Sequence, residues 1–278
     1  MAVLLTGGTG QTGLALARLL HAANYPLLIT SRRGVAPEPY KAVKFEWADH
    51  STFENPFKAD AHIDRAYLVP PSDADPYEHM KPFIDLAVSK GVKRFVFVSA
   101  SQAEKDSPIY GKVHEYLADI GVEYTILRPT WFIENLGTFD VHIIRGHDEF
   151  TSVTGKGRIP LVGVEDIAKA AFDALVAERS PNTDYILIGP ELWSYDEVAD
   201  LLAEVLGRKI THRQITNEEQ IARFKFWMSE DHAIMLNGGE QRVAAGSEEA
   251  LVGHPKAIVG KAKLRDYVEA NKHLWIKA

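Results

Sequence analysis

At 278 residues, with 46% apolar and 25% charged side chains, the chain can bury a substantial core as one large α/β domain or as a domain with a lobe. The 31 basic residues against 38 acidic ones leave a formal charge of −7, so a nucleic-acid role has no electrostatic support. There are no cysteines, which excludes disulfides, thiolate nucleophiles and cysteine-held metal centres. No apolar run approaches bilayer-spanning length and no signal peptide is visible, so the expectation is a soluble, cytoplasmic protein with no membrane partner.

The first half reads as strand–helix units. The apolar run Ala2–Leu5 is a short buried strand that leads into "TGGTGQTG", Thr6–Gly13, and then an amphipathic helix. Further strands are expected at Pro26–Ser31, Val43–Asp49 and Ile63–Val69. A helix over Glu78–Gly91 leads to a strong strand at Lys93–Ser101, and a helix around Val113–Asp119 precedes a strand at Val122–Pro129. Such alternation predicts a Rossmann-like α/β fold with a doubly wound parallel sheet. The proline-rich loops "APEPY" and "VPPSDADPY" do not read as domain linkers. The pattern weakens over Gly137–Gly157, so residues 1–136 are expected to form the dinucleotide domain, with elements of 159–188 returning to it. Residues 137–278 would then be mainly a smaller substrate-binding lobe.

Gly7, Gly10 and Gly13 give G-x-x-G-x-x-G between a strand and a helix, with Thr9, Gln11 and Thr12 between them. Glycine there allows a tight turn, close backbone approach to a pyrophosphate and close helix–strand packing, while the helix N-terminus offers free N–H groups. An NAD site carries an acidic residue about 20 residues on, at the end of the second strand. This chain has Ser31, Arg32 and Arg33 there instead, and a guanidinium suits a 2′-phosphate, so the cofactor expected is NADP(H). Asp49 is the candidate for the adenine, and Val69, Pro70 and Pro71 are expected beneath the adenosine side.

"LLTGGTGQTG", "KRFVFVSAS", "VEYTILRPTWFIENL" and "VGVEDIAKAA" together resemble the NmrA-like, atypical branch of the short-chain dehydrogenase/reductase superfamily. "GRKITHRQITNEEQ" and "DYVEANKHLW" are similar to the fungal ergot-alkaloid reductases of the festuclavine synthase and agroclavine dehydrogenase types. The resemblance implies NADPH-dependent reduction of a small metabolite, with an iminium carbon of an indole alkaloid as the expected target. It also leaves open a cyclase that keeps the dinucleotide as scaffold, and a redox sensor that binds it without chemistry.

Short-chain dehydrogenases acidify a catalytic tyrosine with a lysine four residues later. Here Tyr110 is followed at that spacing by His114, while Lys112 projects to another face. A histidine, with a reference pKa of about 6.5, is a weaker aid to a phenolate. Ordinary carbonyl reduction is therefore in doubt, whereas an iminium needs positioning more than proton donation. Many relatives place a serine at the end of the fifth strand, and either Ser99 or Ser101 fills that place; with Ser101 at the reaction, Ser99 lies on the cofactor. Trp131 and Phe132 follow the sixth strand, and Trp227, with Phe224, Phe226 and Met228, is expected in the lobe as pocket wall. The 11 histidines are scattered without an H-E-x-x-H motif, His147 in "GHDEF" reads as a solvated loop, and no G-x-S-x-G elbow exists. Neither a metal site nor a Ser-His-Asp hydrolase is expected.

Overall fold

The computed structural model describes residues 2–71 and 75–277. Residues 72–74, within the proline-rich loop Val69–Tyr77, lie outside the described residues. In chain order come β1 (Ala2–Leu5), α1 (Gln11–Ala22), β2 (Leu27–Ser31), β3 (Ala42–Lys44), α2 (Asn55–Ala59), β4 (Ile63–Leu68), α3 (Pro76–Ser89), β5 (Arg94–Val98), α4 (Tyr110–Asp119) and β6 (Glu123–Pro129). These are followed by α5 (Val141–His147), β7 (Glu149–Ser152), α6 (Val164–Val176), β8 (Thr183–Ile188), α7 (Tyr195–Leu206), β9 (Thr211–Gln214), α8 (Asn217–Phe224), α9 (Glu230–Ala244), β10 (Ala257–Val259) and α10 (Leu264–Ala270).

Eight strands form one sheet in the order β10-β8-β6-β5-β4-β1-β2-β3, and the pairings described within it are parallel. This is the doubly wound, Rossmann-like arrangement expected from the strand–helix alternation, with its switch point between β1 and β4. Buried on both faces, β1 and β5 are apolar at almost every position. Ala2 and Leu4 join the cluster built with Met80, Phe83 and Ile84 of α3 and Val113 and Leu117 of α4. α1 packs against α6. Helix starts are chemically marked: Asp75 accepts from the Tyr77 N–H with Pro76 in the first turn of α3, and Ser194 and Glu197 form a reciprocal capping box on α7.

Three boundaries differ from the sequence expectation by three residues or more. β3 ends at Lys44 instead of Asp49, because the chain folds back at Glu46–Asp49 and sends Phe45 and Trp47 into an aromatic cluster. The Phe45 ring lies 4.8 Å from Phe83 and the Trp47 ring 5.5 Å from it. β5 stops at Val98, three residues before Ser101. α4 begins at Tyr110, earlier than Val113.

The chain divides into two compact units, residues 1–129 with 164–185 and residues 130–163 with 186–278. The second unit carries β7 and β9 as a parallel pair, and its largest buried side chain is Trp275, whose indole donates to the Leu136 carbonyl at 3.1 Å. Its interior is unusually polar where α8 meets α9. Gln220, Asn237 and Glu240 are all buried there. Glu240 accepts from the Val153 N–H at 2.9 Å and the Gln220 amide at 2.8 Å. Arg223 pairs with Asp140 and donates to the Thr151 carbonyl at 3.0 Å. The charge of Arg223 acts on both acids, by an ion pair with Asp140 and through space on Glu240. Burial pushes the Glu240 carboxyl up to about 7 and raises Asp140 also, although Arg223 opposes the latter. No helix among the described residues is long and apolar enough to cross a membrane.

Because Glu240 titrates higher when folded than at its ordinary 4.5, the stability it contributes is full below about pH 4.5. That contribution is lost as pH rises through about 7, by roughly 3 kcal/mol for a shift of that size. Glu240→Gln should flatten this part of the stability–pH curve in urea titrations between pH 5 and 8. A slope unchanged by the substitution would assign it to another group.

Candidate functional site

The rim of the first unit is organised by the turn between β1 and α1. Thr6, buried at the end of β1, donates its hydroxyl to the Tyr67 carbonyl at 3.1 Å and accepts from the Val69 N–H at 2.9 Å. The ends of β1 and β4 are thereby joined across the switch point. Gly7 has φ +60, and a Cβ on it would stand 3.0 Å from the Val69 Cβ. A Cβ on Gly13 would lie 2.6 Å from both the Gly7 oxygen and the Gly8 Cα. Both positions require glycine. The Gly10 N–H closes the turn onto the Gly7 carbonyl at 2.9 Å, Thr9 and Gly10 are exposed, and Gln11 and Thr12 open the helix. Gly10 brings no side chain, so the first turn of α1 has no side-chain cap. Its N–H groups and the positive end of the helix dipole suit an anion.

Arg32 and Arg33 leave the end of β2 in an exposed turn that Gly34 closes at φ +70. Neither guanidinium has a hydrogen-bond or ion-pair partner among the described residues. Ser31 differs from its expected role: its hydroxyl donates to the Val35 carbonyl at 2.8 Å and accepts from the Val35 N–H at 3.0 Å. The hydroxyl proton is spent on shaping the loop that presents the arginines. Asp49 likewise has a local duty, because one carboxylate oxygen takes both the Ser51 N–H at 3.1 Å and the Ser51 hydroxyl at 2.6 Å. The Ser51 bonds hold Asp49 below its usual range. Val69 accepts from the Trp47 indole at 3.1 Å, with Pro70 half-buried and Pro71 buried beside it.

Beyond β5, the ladder to β6 continues through Ser99 N–H to Leu127 O at 2.7 Å and Ser101 N–H to Pro129 O at 3.0 Å. The Ser99 hydroxyl is buried with no partner among the described residues, whereas Ser101 is a buried residue further along. Ser99 is thus the residue with an unengaged hydroxyl at the rim. Tyr110 opens α4 and packs on Phe97 with ring centroids 6.3 Å apart. Burial raises its phenol, and no cation lowers it. His114 is buried against Tyr124, centroids 5.6 Å apart, and Lys112 pairs with Asp75 at 3.2 Å. Neither supplies the charge that a tyrosine–lysine dyad needs.

In the second unit Trp131 lies over α9, where a Cβ on Gly239 would stand 3.4 Å from its ring. Phe132 is half-buried and bridges to Val162. The aromatics after α8 do not gather into a core: Phe226 is 85% and Trp227 62% exposed. One arrangement escaped the sequence reading. Asp196 bonds His212 Nδ1 at 2.8 Å, and His212 Nε2 bonds the Ser152 hydroxyl at 2.8 Å. Ser152 is fully buried and also engages Thr154, so this Ser–His–Asp chain ties β7, β9 and α7 together and offers no accessible nucleophile. Only the two-residue alternation of "FTS" and "THRQ" could have hinted that Ser152 and His212 share a face. No group of three or more potential metal-ligating side chains occurs among the described residues.

These features place the chain among doubly wound proteins whose first β–α turn is shaped for a dinucleotide pyrophosphate. Its family is narrower: the profile of the NmrA-like family matches residues 1–242, and the chain belongs to that family. It is 40% identical to festuclavine synthase I of Penicillium roqueforti over 287 residues, covering 99% of this chain and 100% of that protein. It is 39% identical to agroclavine dehydrogenase of Claviceps fusiformis, covering 99% of each. In fold it matches Citrobacter sp. triphenylmethane reductase complexed with NADP(H), with TM-score 0.75, 20% identity and coverage of 97% and 99%.

Gly13→Ala tests the turn directly. The added methyl meets backbone atoms that cannot rotate away, and overpacking of that kind costs about 1–3 kcal/mol. A drop of several degrees in Tm is expected, and an unchanged Tm would show that the turn can open freely.

Proposed function

We propose that this protein is an NADP(H)-dependent reductase that transfers hydride to an imine or iminium carbon of a small metabolite, of the indole-alkaloid class. The glycine turn fits a pyrophosphate because the space a Cβ would fill is already taken by backbone. Arg32 and Arg33 fit a 2′-phosphate, since both guanidinium groups are exposed and unengaged where an NAD site would carry a carboxylate. In this reading Ser31 shapes the loop, Asp49 and Val69–Pro71 border the adenosine, and Thr9 to Gly13 hold the phosphates. Relatives named festuclavine synthase and agroclavine dehydrogenase, matched over nearly the whole chain, support the substrate class.

One observation carries the choice of an already electrophilic substrate: Tyr110 stands at the rim with its phenol raised by burial and no cation to acidify it. A carbonyl needs a proton delivered as the hydride arrives, and this tyrosine is a poor donor near neutral pH. Bound NADPH supplies the hydride, and an iminium becomes an amine without taking up a proton. The chain's part is then orientation: Ser99 offers its hydroxyl and Tyr110 offers an edge for packing. His114, packed on Tyr124, supports α4 in this reading.

Three outcomes are expected. Incubation with cyclic iminium substrates should consume NADPH in step with product, read at the nicotinamide absorbance. Product formed while that absorbance stays flat would mean a cyclisation and end the reductase reading. Replacing Arg32 and Arg33 together by alanine should weaken NADP about tenfold or more, as loss of a charge-assisted contact does, while NAD changes by less than about twofold. Equal weakening of both would remove the 2′-phosphate assignment. Tyr110→Phe should keep kcat within about threefold on an iminium; a loss of a hundredfold or more would restore the tyrosine as proton donor.

A further inference from the structure

Arg128, near the end of β6, is only 4% exposed, yet it is an ion. Its NH1 donates to Asp184 at 2.7 Å, and that carboxylate is itself buried. The other side of the fork makes two bonds to one acceptor, the Ser101 carbonyl, from Nε at 3.1 Å and NH2 at 2.6 Å. NH2 also comes within 3.8 Å of the exposed Glu104 carboxylate. One guanidinium therefore holds the start of the segment 101–104 by hydrogen bonds and lies near the carboxylate at its end.

A buried ion pair is a poor device for stability alone, because desolvation offsets most of the attraction and well-packed apolar residues often do as well. What the fork supplies is direction, since its donors are fixed in one plane. The gripped segment lies between two rim groups. On one side is Ser99, with its unengaged hydroxyl. On the other, the chain packs on α4: a Cβ on Gly111 would lie 2.4 Å from the Glu104 carbonyl and 3.0 Å from that of Lys105. Between them Ile109 sits at φ +70, a conformation that a β-branched residue holds only when its surroundings impose it. Tyr110 follows immediately.

We propose that Arg128, charge-balanced by Asp184, is the positioning residue of this rim: through the Ser101 carbonyl it holds residues 99–104 in place. It thereby sets the direction of the Ser99 hydroxyl and the entry into the Tyr110 helix. It acts through the Ser101 carbonyl, as a positioning residue. The consequence for rate rests on the reductase reading; the consequence for the segment does not.

The test is the double substitution Arg128→Met with Asp184→Leu, which removes both charges and keeps the volume filled, alongside Arg128→Lys, which keeps the charge opposite Asp184 but loses the fork. Amide hydrogen exchange is read at Ser99, Ser101 and Ala103, whose N–H groups bond Leu127, Pro129 and Ala100. Exchange there should quicken at least tenfold in both variants, while the β5 amides of Phe95 to Phe97 keep their rates. Uniform quickening in all of these amides would mean a merely structural pair, and unchanged exchange would mean no anchoring; either overturns the proposal. In the same variants kcat for iminium reduction should fall about tenfold or more with the NADPH dissociation constant within twofold, because misplacement by about an ångström is costly to rate. Full kcat with a loosened segment would overturn the positioning role. If the unsubstituted protein reduces no imine, the reductase reading fails while the exchange result still decides the anchor.

Discussion

The rim depends on β1 passing into α1 across a gap that has no room for a side chain. Gly13 lies so close to Gly7 and Gly8 that a methyl would sit 2.6 Å from backbone atoms, so the helix begins directly beneath the turn. Its first turn lacks a side-chain cap, and helix-start N–H groups left without an acceptor favour an anion. The same strand end fixes its neighbour, because the Thr6 hydroxyl bonds both the carbonyl of Tyr67 and the N–H of Val69. Close packing and anion binding are thus one constraint. A side chain that filled the turn would also push β4's end away from β1.

The sheet was largely legible because buried parallel strands announce themselves. β1, β2 and β5 are mainly apolar runs, β4 and β6 carry apolar stretches between polar residues, and the alternation with helices leaves few topologies. β3 was not legible at its end. "FEW" looks strand-like, but Phe45 and Trp47 are spent on a ring cluster with Phe53 and Phe83, and Asp49 is spent on capping Ser51. The start of α4 was missed because Ile109 holds a positive φ, which no propensity anticipates for a β-branched residue. The exposed Trp227 shows the complementary limit: hydrophobicity forecasts burial only when a partner surface exists, and sequence does not reveal the partner.

At the site, identity was easier to read than duty. Gly7, Gly10 and Gly13 stand where the spacing put them, and Arg32 and Arg33 stand exposed. Ser31 and Asp49 have local partners instead, as short polar side chains often do at strand and helix ends. The Ser152–His212–Asp196 chain is the converse case. Its geometry is that of a hydrolytic triad, but a fully buried hydroxyl that also engages Thr154 cannot reach an ester, so exposure decides between two readings that distance alone would leave equal.

Charge is distributed so that the rim is arranged by ions it does not expose. Tyr110 has a histidine, not a lysine, four residues on, and Lys112 is engaged with Asp75. Arg128, a buried cation near the end of β6, is directed at a backbone carbonyl and at Asp184. A cation beside a phenol changes its proton affinity, whereas a cation bonded to a carbonyl fixes a chain segment. The first serves a reaction limited by proton transfer and the second serves one limited by orientation. The proposed electrophile, which needs only hydride, would belong with the second arrangement.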